Sequence, residues 1–189
     1  MNWMAFFVIA WIALGLDTGL RSTLELGNTG ISPSFMMCFA VFVAMNATTG
    51  TALWSCMILG LLVDLATTLS YKPDGAITVL GPHAVGYVLA GQLVLTLRVW
   101  MLRRNPLSFA VLCCMAFLVA NVVVVFLYTM RSFMGDGLMW NASEEVAARV
   151  GSSIYTALVG VLVVIALMPL TGLLGFGGQP KRFSLRRNP

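Results

Sequence analysis

Apolar residues run along this chain in long blocks, interrupted by proline, glycine and small groups of charged or hydroxylated residues. Cutting at those breaks leaves six apolar segments, at roughly 3–20, 34–48, 50–70, 80–102, 107–130 and 148–174. A membrane-crossing helix needs about 20 apolar residues. The pattern therefore predicts an all-α integral membrane protein, with six transmembrane helices in one bundle within residues 1–175 and a basic tail at 176–189. The second segment, SPSFMMCFAVFVAMNATT, is short, and NATTG alone separates it from the third. One long helix over both would place the two ends of the chain on opposite sides of the membrane.

Composition agrees with the pattern. Of 189 residues, 59% are hydrophobic and 10% charged, with a mean hydropathy of +0.92, whereas soluble domains carry about 25% charged residues. The opening MNWMAFFVIAWIALGLDTGL has no basic stretch before its apolar run and no small-residue cleavage site, so it reads as a permanent first span. Cys38, Cys56, Cys113 and Cys114 lie in apolar runs without CxxC spacing, which suits packing rather than a disulfide framework or a metal site. No cofactor is expected.

Charge orients the spans. With six spans and a cytoplasmic N-terminus, Arg98, Arg103 and Arg104 follow the fourth span on the inside, and Lys181, Arg182, Arg186 and Arg187 lie in the tail. These are seven of the eleven basic residues, and no acidic residue joins them. The bias of short loops toward cytoplasmic Lys and Arg puts both termini inside. The same seven residues fix topology or contact anionic lipid or a cytoplasmic partner. On the outside, RSFMGDGLMWNASEEVAAR (131–149) mixes aromatic and apolar residues with acids. It suits an interfacial helix on the outer leaflet, or a docking surface.

Asp64, in ILGLLVDLATTLS, is the residue that most needs an explanation. An ionised carboxylate at the bilayer centre costs about 2.5 to 3.5 kcal/mol on insertion scales. Counted from Thr51, Asp64 lies in the outer half of its span, at the depth of His83 and Tyr87, which are i, i+4 neighbours at the start of the fourth span. A hydrogen-bonded cluster of Asp64 with His83 or Tyr87 would satisfy the charge and pin two helices together; a proton relay and a contact with another protein are the alternatives. Asp17 sits near the end of the first span, within reach of water, and Arg98 can snorkel to the inner headgroups. Asn121 has the better claim to an interhelical hydrogen bond. Gly86 with Ala90, Ser153 with Ala157, and Thr156 with Gly160 offer small faces for close packing, and Pro169 should bend the sixth span. The chain contains no GxxxxGK[ST], GxSxG or HExxH, has one histidine, and shows no internal repeat. Hydrolase, kinase and repeat-built transporter readings lose their motifs.

Three stretches taken in order resemble the family of the rod shape-determining protein MreD: GISPSFMMCFAVFVAM (30–45), a helix started at Pro33; GLLVDLATT (60–68), with Gly60 and Asp64; and LGPHAVGYVLAGQL (80–93), with Gly86, Tyr87 and Ala90. The chain departs from that pattern in a longer loop at 70–83 and in LDTG of the first span. The resemblance implies a non-enzymatic subunit of the bacterial elongation machinery in the cytoplasmic membrane. It would bind MreC and support the peptidoglycan synthase pair of RodA and a class B penicillin-binding protein, with lipid but no nucleic acid as further contacts. Gly60, Gly86, Ala90 and Pro33 would serve helix packing or the partner interface. The implied fold is similar to the S-components of energy-coupling factor transporters, so a vitamin-binding S-component is the rival reading. S-components present an alanine-x-x-x-alanine face on the first helix. Here Ala5 is followed by Ile9 and Ala10 by Leu14.

Overall fold

A computed structural model describes residues 1–27, 29–71, 75–99, 106–133 and 142–176. The described chain is helical apart from one short hairpin. Helix α1 (Trp3–Gly19) starts where the Asn2 side chain accepts from the Met4 N–H, and a single turn, α2 (Arg21–Leu24), follows it. Helix α3 (Phe35–Asn46) is capped by Ser34, whose hydroxyl accepts from the Met37 N–H at 3.2 Å. Next comes α4 (Thr49–Ala66). Strands β1 (Leu69–Tyr71) and β2 (Gly75–Ile77) pair antiparallel, with Ser70 opposite Ala76. The remaining helices are α5 (Pro82–Leu97), α6 (Pro106–Phe133) and α7 (Ala142–Leu167), which runs into a 3-10 turn at Met168–Thr171.

The short break NATTG does separate two helices. Asn46 turns its amide back onto the Phe42 carbonyl at 2.8 Å, and Ala47 and Thr48 are extended before α4 begins. Helices α4, α6 and α7 are long and apolar enough to cross a membrane; α1, α3 and α5 are shorter apolar helices of 17, 12 and 16 residues.

The shortest of them holds the bundle together. Met36 through Met45 of α3 are all buried, and α3 packs against α1, α4, α5, α6 and α7. A helix apolar on every side is either set in lipid or enclosed by protein, and α3 is enclosed. At 1.5 Å per residue α3 is about 18 Å long, well short of the roughly 30 Å of a bilayer core. The small face of α7 receives its approach: Ser152 and Thr156 accept from the N–H groups of Ser32 and Ser34, and Gly160 lies against Cys38 and Cys113. The Asn2 N–H donates to the Leu174 carbonyl at 3.0 Å, so the start of α1 lies beside the turn that follows α7.

Several expectations need correction. Leu69–Tyr71 and Gly75–Ile77 add a short hairpin between α4 and α5 to a chain that is helical as expected. Of segment 131–149, residues 131–133 finish α6 and 142–149 begin α7, while 134–141, on which the expected interfacial helix falls, lie outside the described residues. Pro169 ends an α-helix rather than bending it, because it has no N–H to continue the ladder and the chain tightens into the 3-10 turn. Arg98 does not simply reach for headgroups. Its guanidinium donates to the carbonyls of Ala44 and Ala47, at 2.9 and 2.8 Å, and so caps the C-terminal end of α3. Arg103, Arg104, Lys181, Arg182, Arg186 and Arg187 lie outside the described residues.

Candidate functional site

Asp64 stands in the last turn of α4 and is completely buried. The first turn of any helix leaves backbone N–H groups without partners inside the helix. Those of α5 converge on this carboxylate: Gly81 and Ala84 donate to Oδ2, at 2.8 and 3.2 Å, and His83 donates to Oδ1 at 3.0 Å. Pro82 has no N–H to place. Gly81 adopts a positive φ of 120°, open to glycine at little cost, which turns the chain into α5 with its own N–H facing Asp64. The His83 ring adds a contact from Nδ1 to Oδ1 at 2.8 Å and packs edge-on against Tyr128, with ring centres 6.2 Å apart. A carboxylate of one helix thus serves as the N-cap of the next, where the helix dipole also favours negative charge.

Close backbone approach makes this geometry possible. A Cβ on Gly60, one turn before Asp64, would lie 2.5 Å from the Ala84 Cα and 2.7 Å from the His83 carbonyl oxygen. Gly86 performs the same service on the other side of α5, where a Cβ would come within 2.9 Å of the Ala120 carbonyl of α6. Ala90 is buried one turn further along α5, and Pro33 is buried just before the Ser34 cap.

Tyr87 is not part of the Asp64 cluster. It is buried on α5 with Asp17 and Ser34 as its electrostatic neighbours. The reason is register: the carboxylate of Asp64 is level with the first N–H groups of α5, and Tyr87 lies a full turn deeper.

Asp17 repeats the device at the start of α3. Its Oδ2 accepts from the Ser34 hydroxyl and from the Met36 N–H, both at 3.1 Å, and its Oδ1 accepts from the Phe35 N–H. Reading the sequence by depth alone missed this role. The signal lay in the parallel between LDTG before SPSF and VDLA before GPHA, each a carboxylate in the last turn of an apolar helix followed by a loop and a proline-led helix start.

A third polar junction joins α6 to α7. Arg149 is held by Glu145 at 3.0 Å and donates to the Asn121 carbonyl oxygen at 3.2 Å, while the Asn121 amide reaches Ser153. Between these three junctions lies a cavity of about 810 Å³, with Asp17, Arg21 and Glu25 on one side, Asn121, Glu145 and Arg149 on the other, and Leu14, Val63 and Phe117 among its apolar lining.

Among the described residues every buried side-chain nitrogen and oxygen has a hydrogen-bond partner, and no three metal-ligating side chains cluster. The buried carboxylate of Asp64 and the half-buried one of Asp17 both have their oxygens turned to helix N–H groups. That arrangement holds helices in place. No family model, curated protein or solved structure matches this chain.

Proposed function

We propose that this protein is a non-enzymatic, six-span scaffold of the bacterial cytoplasmic membrane, a member of the MreD family that binds MreC and supports the RodA and class B penicillin-binding protein pair. The observation that carries the reading is the use made of GLLVDLATT and LGPHAVGYVL: their polar residues are spent on a buried joint between α4 and α5, with Asp64 capping α5 and Gly60 letting the backbones touch. The residues behind the resemblance are thus structural. Hydrogen bonding between Asn2 and Leu174 suits an even number of crossings, with both termini on the cytoplasmic side. The exposed apolar face of α1, with Met4, Val8, Trp11 and Ile12, suits lipid or a partner helix. Copurification tests the proposal. Protein tagged at the cytoplasmic tail and extracted gently from its native host should bring down MreC or a cell-wall synthase; repeated failure to do so would sink it.

The cavity favours a second reading, a substrate-binding subunit of the S-component type, because its volume falls in the range of about 300–1,000 Å³ typical of small-molecule sites. A thermal-shift response to one member of a vitamin panel, with the same molecule retained in native mass spectra, would move the assignment to that class.

A further inference from the structure

We infer that the cavity between the three polar junctions is a binding site for a small anionic amphiphile, its anionic group held by Arg21 and its stem laid on the apolar lining. The argument begins with the charges in the wall. Asp17 is committed to α3 through Ser34, Phe35 and Met36. Glu25 accepts from the Gly30 N–H at 2.7 Å. Glu145 and Arg149 are paired, and Arg149 also holds Asn121. His83 gives Nδ1 to Asp64.

Arg21 is left over. It is an exposed residue that lines the cavity one turn beyond Asp17, near enough for their charges to interact, and among the described residues its side chain makes no hydrogen bond or ion pair. A guanidinium presents a planar fork of donors that matches carboxylate or phosphate oxygens. The opposite surface is of another kind: Leu14, Val63 and Phe117 would have to stay wet in an empty cavity. An apolar stem would cover them.

Carboxylate and phosphate share this chemistry, and the anion can come from a lipid headgroup or a free small acid. The inference needs only the cavity and Arg21, so it stands apart from the scaffold reading; it shares with the second reading only a filled cavity.

The test uses the full chain in a neutral maltoside detergent, titrated in native mass spectrometry with dioctanoyl phosphatidylglycerol, dioctanoyl phosphatidylcholine and inorganic phosphate as separate arms. The expected result is a saturable single adduct with the phosphatidylglycerol. Arg21→Gln should weaken it about tenfold, in line with the loss of a hydrogen bond to a charged group. Ala148→Trp, which places bulk in the cavity, should abolish it, with melting curves of both variants confirming that they fold. Equal binding of the two lipids with no effect of Arg21→Gln would overturn the inference, as would an absence of saturable binding. Phosphate competing at the same concentration as the lipid would show a free-anion site and refute the amphiphile.

Discussion

At the α4/α5 joint a fully buried carboxylate takes three backbone N–H groups and an imidazole, and a glycine one turn earlier lets the two backbones touch. At the α1/α3 joint the carboxylate of Asp17 takes two N–H groups and a hydroxyl beside a cavity, and the flanking glycines, Gly15 and Gly19, have nothing within 4 Å of where a Cβ would be. The same capping chemistry therefore serves a closed joint and an open one. What separates them is not the carboxylate but access: water can repair damage at Asp17, and nothing can repair it at Asp64.

Removing the carboxylates should expose that difference most strongly. Asp64→Ala strands three buried N–H groups and the His83 ring, and breaking one partner of a buried charged cluster costs about 3–5 kcal/mol. Asp17→Ala removes an N-cap beside a cavity, and such losses run at about 0.5–2 kcal/mol. Unfolding of the full chain in detergent, followed by tryptophan fluorescence, should rank Asp64→Ala well below Asp17→Ala. Equal losses would mean that both joints are equally closed. Asp64→Asn sharpens the point, because an amide keeps one acceptor oxygen but turns an N–H₂ toward donors. We expect a loss of about 1–3 kcal/mol, smaller than for Asp64→Ala, from the groups left unsatisfied.

Next in size is Gly60→Ala. The new methyl meets the Ala84 backbone rather than the end of a flexible side chain, so α4 and α5 must separate. Overpacking of this kind costs about 1–3 kcal/mol. The same melts should show it, and a loss near zero would contradict the close approach.

Much of this was legible in the residues. A charge in an apolar run and a lone histidine at matching depth led to Asp64 and His83, because burial leaves a carboxylate few alternatives. Tyr87 misled, since i, i+4 spacing says that two residues share a face and not which of them is level with a third. Asp17 and Arg98 were assigned by depth to water and headgroups, yet both cap α3, one at each end. Nothing local in the sequence shows that residues 20–33 fold back to bring Ser34 to Asp17. The six apolar segments were legible from their breaks; the central place of α3 was not, although a 12-residue helix with no polar face was a sign that it would be covered all round.

The smallest expected effect is the most useful control. Gly15 lies two residues before Asp17, where Gly60 lies a full turn before Asp64, and a helix interior favours alanine over glycine by up to about 1 kcal/mol. With open space at its Cβ position, Gly15→Ala should leave stability unchanged or raise it by less than about 1 kcal/mol, against the clear loss at Gly60. If Gly15→Ala instead destabilises as Gly60→Ala does, α1 is packed at that point by something outside this chain, such as a second copy or a partner helix. If it leaves the melt untouched but diminishes the copurification that the proposed scaffold role predicts, the exposed side of α1 is where the partner sits. The open joint would then be open because a second protein closes it.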